Sequence, residues 1–174
     1  MQTIILGGGC FWCTESVFRH VKGVSDVTSG YMGGEANTAN YRAVCEGDSG
    51  HIEVIKVDFD EAMIDLDTLL AIFFATHDPT TQDRQGNDVG RQYASVVFYV
   101  DDSQKVVIEQ TISELKANGS KIVTEVYPAV TFYPAEDYHQ DYFAKNPTQG
   151  YCSFVIPPKL AKLKQYFGGF MVVS

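Results

Sequence analysis

The chain has 174 residues, 45% of them hydrophobic and 13% aromatic, enough to bury one sizeable core without disulfide staples. Its formal charge of −9 argues against a nucleic-acid partner, and no apolar run is long enough to span a membrane. The start, MQTIILGGG, lacks the basic region of a signal peptide. We therefore expect a single domain over residues 1–174, monomeric and in the reducing cytoplasm, with no nucleic-acid or membrane partner.

Strand and helix patterns alternate in the first half of the chain. Residues 3–6 predict a short buried strand, the glycines at 7–9 break it, and FWCTESVFRHV continues with helical spacing. DLDTLLAIFFATH predicts a helix with Asp65 as its N-cap. Between them HIEVIKVDFD alternates like a strand, and one of its faces carries His51, Glu53, Ile55, Val57 and Phe59.

The second half predicts two strands and two helices. YASVVFYV is typical of a central strand buried on both faces, and AVTFYP of a short strand. SQKVVIEQTISELKANG predicts a helix from an N-cap at Ser103 to Gly119, and PPKLAKLKQYFGG one from Pro158 to Gly168. Segments 78–92 and 134–152 lack periodicity and indicate long functional loops. The pattern favours an α/β fold with a mixed sheet and a long C-terminal coil.

Cys10 and Cys13 lie where a glycine turn meets a helix start. Backbone N–H groups and the helix dipole at such a position stabilise a thiolate, which is the nucleophilic form. A buried inert cysteine, a zinc site and a thioredoxin-like dithiol exchanger are the alternatives. Zinc lacks ligands at matching spacing, with Cys45, Cys152 and His51 as the candidates. The bulky Phe-Trp pair between the cysteines indicates a pocket wall more than an exposed exchange surface.

Six segments of the chain carry a recognisable combination of motifs. The first is GGGCFWCTE, around Cys10, and five more follow in order: GYMGG at 30–34, NYRAVCEGDSGHIEVIKVDFD at 40–60, FFATHDPTTQDRQGNDVGRQYAS at 73–95, YPAEDYHQDYFAKN at 133–146 and GYCSFVIPPKL at 150–160. Together they resemble the peptide-methionine sulfoxide reductase A family, whose signature is a Gly-Cys-Phe-Trp run, and the resemblance covers nearly the whole chain.

This resemblance implies an oxidoreductase that reduces the S epimer of methionine sulfoxide, free or in proteins, to methionine. It implies a mixed sheet with packed helices, related to the ferredoxin-like two-layer sandwich. The reductant would be thioredoxin, acting on an intramolecular disulfide, and no cofactor or metal is expected.

The resemblance also assigns roles to individual residues. Cys10 is the nucleophile and Glu53 the acid beside the sulfoxide oxygen, assisted by the hydroxyls of Tyr41 and Tyr93. Cys152 is the resolving cysteine. The remaining roles fall to residues around the substrate: Phe11 and Trp12 as the pocket for the S-methyl group, and Asp88 as part of the binding network.

Physical chemistry supports some of these roles and leaves others open. A carboxyl on an apolar strand face loses solvation, so Glu53 should have a raised pKa, as a general acid requires, unless it is solvated at a frayed strand end. Tyr41 and Tyr93 could simply pack, and Asp88 could serve a turn. For the second thiol we favour Cys152, in a tail segment able to swing inward, with Cys13 as a possible relay or second resolver. For the three other candidates, we expect Cys45 to be a small apolar filler and His51 and His77 to be structural.

Overall fold

A computed structural model describes residues 1–172; the last two residues of the predicted domain, 173 and 174, lie outside the described residues. The strands are β1 Gln2–Gly8, β2 Val24–Met32, β3 Ile52–Phe59, β4 Arg84–Gln85, β5 Asp88–Val89, β6 Ser95–Tyr99, β7 Glu125–Pro128 and β8 Tyr133–Pro134. Six of them form the central sheet, in the order β7-β6-β1-β3-β2-β8. The helices are α1 Phe11–Arg19, α2 Tyr41–Cys45, α3 Leu66–Thr76, α4 Asp102–Ala117, α5 Tyr142–Lys145 and α6 Gly150–Phe167.

The inner part of the sheet has the predicted ferredoxin-like plan. The chain runs β1-α1-β2-β3-α3-β6, and the neighbouring strands in the order β6-β1-β3-β2 are all antiparallel. Helix α4 then leads to β7, which pairs parallel with β6, so the sheet is mixed as expected. β4 and β5 form a separate small hairpin between α3 and β6.

Alternation along the strands sends side chains to two cores. The larger core lies under the helices and includes Leu6, Ile55 and Val57, while the smaller one, on the other face, includes Val54 and Val96. Both faces of the central strands are therefore covered, which explains the uninterrupted apolar run Val96–Val97–Phe98 in β6. Glu53 falls on the helix-facing side, opposite Tyr31 in the β2–β3 register.

Aspartate side chains cap the N-termini of α3 and α4, but the cap of α4 is not the predicted residue. The Asp65 carboxylate accepts the backbone N–H of Thr68 at 2.8 Å, so the predicted cap of α3 is confirmed. Ser103 is not the cap of α4: the cap is Asp101, whose carboxylate accepts the N–H of Gln104 at 2.9 Å. In the run Asp-Asp-Ser all three residue types can cap, and the first of them takes the position.

The C-terminal region departs most from the sequence prediction. The expected long coil is wrong from Gly150 onward, because α6 begins there, eight residues before Pro158, and carries Pro157 and Pro158 in its interior. Gly168 does end this helix.

Two strands also differ from the prediction. The sequence pattern does not predict β2, and the strand predicted over AVTFYP is limited to the two residues of β8. Within residues 1–172, no helix is long and apolar enough to cross a bilayer.

Candidate active site

Cys10 lies at the N-cap of α1, directly after β1 and its terminal glycine turn. Gly9 adopts φ +92°, a conformation that L side chains rarely take, and this turns the chain sharply from strand to helix. The Cys10 carbonyl accepts the N–H of Cys13 at 3.0 Å, which begins the helix. The sulfur-bearing side chain is 9% exposed, so a small reactant can reach it while bulk water is mostly excluded.

The sequence predicts a thiolate at Cys10, but the surroundings of this side chain favour the neutral thiol. A hydrogen bond to Cys13, then burial, then the Glu53 charge raise the pKa of Cys10 well above its usual range. The backbone N–H of Trp12 acts in the predicted direction and lowers this pKa, but its effect is outweighed. Cys10 is therefore a thiol at neutral pH, and its proton is available to the reaction.

Glu53 brings a protonated carboxyl to the start of α1. Its side chain is 1% exposed, and its Oε1 accepts the backbone N–H of Phe11 at 3.1 Å. Burial raises the pKa of Glu53 to about 8 against the lowering effect of that hydrogen bond. The predicted raised pKa is confirmed, and the alternative of a solvated strand end is wrong for this residue. At neutral pH most of the Glu53 carboxyl can donate a proton.

Phe11 and Trp12 form the start of an aromatic wall beside Cys10. Phe11 is fully buried, with ring centroids 5.6 Å from Tyr31 and 6.4 Å from Tyr41. Trp12 is half-buried and stacks flat on Tyr142 at 3.9 Å, with 9° between the planes. Trp12 and Tyr142 also pack against the cluster that contains Cys10, so aromatic rings lie beside this thiol.

Tyr41 and Tyr93 approach the same carboxyl from two different elements. Tyr41 is the first residue of α2, and Tyr93 ends the short 3-10 turn Arg91–Tyr93 before β6. Burial, above all, raises the pKa of each hydroxyl, and the Glu53 charge adds to the rise in both. Both phenols are half-buried and stay protonated, so they can donate hydrogen bonds to an oxygen held near Glu53.

Asp88 holds the hairpin β4–β5 against α6. It begins β5, and its carboxylate accepts the hydroxyl of Tyr151, in the first turn of α6. Its charge raises the pKa values of Glu53 and Tyr93, so it lies within electrostatic reach of the site. The turn role and the supporting role considered for Asp88 are compatible.

Three of the four thiols form one cluster between α1 and α6. Cys13 is 3% exposed and Cys152 fully buried, and both pack with Cys10 and Ile156. Cys13 occupies the middle: it hydrogen bonds to Cys10, and its charge acts on Cys152, whose pKa is raised to about 11, by burial first. The predicted tail segment therefore places Cys152 beside the site already, as part of a helix.

A cleft of about 260 Å³ reaches Cys10 and Cys13 from outside. Its walls are the tip of the β4–β5 hairpin and the first turns of α6, and its lining includes Gly86, Phe154 and Lys159. A small thiol can therefore approach both sulfurs while Cys152 stays enclosed.

Sequence reasoning missed the residues that fix Trp12. The Trp12 indole N–H donates to Nδ1 of His139 at 3.0 Å, and the rings of His139 and Tyr41 lie 4.3 Å apart. Glu136 accepts the Tyr31 hydroxyl at 2.8 Å and the N–H of Tyr41 at 3.1 Å. The density of aromatic and His residues in YHQDYF was the available signal, but it did not identify these contacts.

The remaining candidates, Cys45, His51 and His77, lie outside the thiol cluster, although the Cys45 side chain hydrogen bonds to Tyr41. Cys45 is exposed at the end of α2, so its assignment as a small apolar filler is wrong. His51 binds the turn at Gly34, and His77 binds Phe73 and Ser95. Burial lowers the pKa of His77 to about 4, which fits a neutral structural residue. Among residues 1–172 no three His, Cys, Asp or Glu side chains converge in a group that could hold a metal ion.

A buried thiol, a second thiol hydrogen bonded to it and a protonated carboxyl are the groups that a thiol-dependent oxidoreductase needs. The sequence model described as peptide methionine sulfoxide reductase matches residues 2–169, and the chain belongs to that family. The peptide methionine sulfoxide reductase MsrA of Psychrobacter cryohalolentis is 66% identical over 172 residues, covering 99% of each chain.

Solved structures agree with the fold. The reduced form of Mxr1 from Saccharomyces cerevisiae matches with a TM-score of 0.81 and 36% identity, over 87% of this chain and 88% of that one. Mxr1 in complex with Trx2 matches with a TM-score of 0.56 and 26% identity, over 81% and 84%. The chain is thus an oxidoreductase of the peptide methionine sulfoxide reductase family with the predicted α/β fold.

Proposed function

We propose that this chain reduces the S epimer of methionine sulfoxide, free or in proteins, and so repairs oxidised proteins. The observation that carries the proposal is the buried, protonated Glu53 carboxyl, held by the Phe11 amide beside the Cys10 thiol and the aromatic wall. These three features match the three needs of a sulfoxide: attack at sulfur, a proton for oxygen and an apolar place for the methyl group.

The pocket supports selection of one epimer. A sulfoxide sulfur carries an oxygen, a methyl group and a chain in a fixed handedness. If the oxygen lies at Glu53, Tyr41 and Tyr93, the methyl group lies against Trp12 and the rest of the substrate chain leads out to solvent, only one handedness leaves the sulfur open to Cys10. The family resemblance assigns that handedness to the S epimer.

The reductase step balances with the protons already in the site. Glu53 donates its proton to the sulfoxide oxygen as the Cys10 sulfur attacks, and the carboxylate then takes the proton of the Cys10 thiol. Oxygen passes to Cys10, methionine leaves, and Cys10 becomes a sulfenic acid. The sulfoxide sulfur is reduced by two electrons and the Cys10 sulfur is oxidised by two.

Two further thiols can resolve the sulfenic acid. The Cys13 thiol hydrogen bonds to Cys10, and its charge acts on Cys152, which packs in the same cluster. The arrangement therefore favours the sequence Cys10, Cys13, Cys152. Cys13 would condense with the sulfenic acid and release water. Cys152 would then attack the Cys13 sulfur by thiol–disulfide exchange and free Cys10. Cys152 is the resolving cysteine of the final disulfide, and Cys13 is the relay.

The helix that carries Cys152 contains its own weak point. Pro157 and Pro158 lack the N–H groups that would bond the carbonyls of Ser153 and Phe154. The first turns of α6 are therefore held by fewer backbone bonds than an ordinary helix. Burial raises the pKa of Cys152, so release of this segment would expose the thiol and remove that effect.

Replacement of both Pro157 and Pro158 by alanine should slow disulfide formation by Cys152 about tenfold or more. Proline in a helix interior is less favourable than alanine by about 3 kcal/mol, so the variant holds the segment more firmly. Quenched alkylation and mass spectrometry after one turnover measure the rate, and hydrogen exchange should show greater protection over 150–156. Pro147→Ala, in the turn before α6, is the matched control; equal rates in all three proteins would contradict the idea.

Thioredoxin is the proposed reductant of the final disulfide. The yeast relative was solved in complex with Trx2, which supports a thioredoxin partner for a chain of this family. The chemistry is exchange between the thioredoxin dithiol and the Cys13–Cys152 disulfide. Since both sulfurs are buried in the reduced structure, the first turns of α6 would have to open for a protein reductant.

Separated epimers of a blocked methionine sulfoxide, with dithiothreitol as reductant, test the function. We expect turnover of the S epimer alone, because the pocket exposes the sulfur of one handedness. An insulin disulfide-reduction assay runs in parallel. Reduction of neither epimer together with active insulin reduction would mean that the CFWC segment is a dithiol exchanger, and the proposal would be wrong.

A further inference from the structure

Lys159 is the cationic side chain in the lining of the cleft that reaches Cys10 and Cys13. It lies on α6 and is half-buried. Its ammonium group donates to the backbone carbonyl of Thr76, at the end of α3, over 2.7 Å. That hydrogen bond fixes a flexible side chain at the cleft, so its charge acts on the thiols from a defined position.

We propose that Lys159 is a positioning residue that holds Cys13 in its thiolate form for attack on the Cys10 sulfenic acid. The inference rests on the proposed function and assigns a residue to its second step. The Cys13 thiolate forms the S–S bond, the Cys10 S–O bond breaks, and hydroxide leaves and takes a proton to become water. The Cys10 sulfur is reduced and the Cys13 sulfur is oxidised, so no outside reactant is needed.

The groups around Cys13 support this role for Lys159. Cys10 first, then Lys159 and Tyr151, lower the pKa of Cys13, while burial and the Asp88 charge raise it. Once Cys10 is oxidised to a sulfenic acid its thiol hydrogen bond is lost, and Lys159 remains as the charged group that favours the thiolate. The other titratable groups that face Cys13 are Glu53, which is mostly neutral below pH 8, and Cys152.

The surroundings of Lys159 itself are compatible with a retained charge. Burial lowers its pKa most, and Lys162 lowers it further. Cys13, Cys10 and Asp78 act in the opposite direction. The carbonyl of Thr76 lies at the negative end of the α3 dipole, which also favours the ammonium form.

The test isolates the Cys10–Cys13 step in a Cys152→Ser background. One equivalent of methionine sulfoxide is added, and the sulfenic acid is trapped with dimedone at successive times and counted by mass spectrometry. Lys159→Gln is expected to form the same single equivalent of methionine but to lose its sulfenic acid about tenfold more slowly at pH 7, the effect of one pKa unit on Cys13. The decay rate should also reach its plateau at higher pH than in the Lys159 protein.

Two further variants make the result specific. Lys159→Arg keeps the charge and should restore both the decay rate and its pH profile, whereas a merely structural role would not move the profile. Lys164→Met, an exposed lysine of the same helix, is the control. Should Lys159→Gln misfold, Lys159→Met is measured instead. An unchanged decay rate and pH profile would overturn the role of Lys159, while absence of any methionine in the Lys159 protein would overturn the proposed function.

Discussion

Replacement of Cys152 by serine is expected to leave one methionine per chain but to abolish turnover with thioredoxin. The reductase step needs only the Cys10 thiol and the proton of Glu53, so the first equivalent forms. Recycling then stops at a disulfide between Cys10 and Cys13, where Cys13 is 3% exposed and closed to a protein reductant. Dithiothreitol is small enough for the cleft and should still support turnover.

The comparison that decides this assignment uses three variants under identical conditions. Single-turnover methionine and steady-state rates with thioredoxin and with dithiothreitol are measured for Cys152→Ser, Cys13→Ser and Cys45→Ser. Cys45 is exposed and outside the thiol cluster, and serine can keep its side-chain hydrogen bond to Tyr41, so this variant should recycle like the parent. If Cys152→Ser recycled with thioredoxin at the parent rate and Cys13→Ser did not, the resolving role would belong to Cys13.

Local pattern was sufficient for most of the elements that position the site. The alternation through Glu53, Ile55 and Val57 placed the carboxyl on the helix-facing side of β3, where burial then raises its pKa. The N-cap at Asp65 followed from residue type alone, because a carboxylate at that position satisfies a free N–H of the first turn. Such features depend on neighbours within a few residues.

The misjudged elements are those in which local preference and tertiary packing disagree. Strand β2 reads VSDVTSGYM, with few β-branched residues in alternation, and it is held as a strand by pairing with β3 along its length. The first turns of α6 precede two prolines, which normally mark a helix start. Packing of Cys152 and Ile156 against α1 keeps those turns helical.

The pKa of Cys10 and the long-range contacts of the site could not be predicted from the sequence. A cysteine at a helix start favours a thiolate, but the pKa of Cys10 is raised by Cys13, burial and Glu53 together. Trp12 and His139 are 127 residues apart, and nothing in either segment alone indicates their hydrogen bond. The lysine of GYCSFVIPPKL, Lys159, is unremarkable in sequence and faces the thiols only because α6 packs on α1.

Replacement of Glu53 by glutamine is expected to slow the reductase step by about 10²–10⁴, the usual range for a lost general acid. Glutamine has nearly the same shape, and its side-chain oxygen can still accept the N–H of Phe11, so the start of α1 is preserved. The amide cannot give a proton to the sulfoxide oxygen. Rapid-quench measurement of methionine formed in one turnover, without any reductant, isolates this step from recycling.

The pH profile of the same measurement tests the role of the carboxyl directly. With a pKa of about 8, Glu53 is protonated below that pH, so the single-turnover rate of the parent should be level at lower pH and fall as pH rises through about 8. Glu53→Gln should lack this fall. Glu15→Gln is the matched control, since Glu15 is an equally buried carboxyl on α1 that binds Arg19 and the N–H of Asp141 instead. A parent rate in Glu53→Gln, or a parent profile that rises through pH 8, would mean that another group protonates the oxygen, and the two phenols of Tyr41 and Tyr93 would then be the donors to examine.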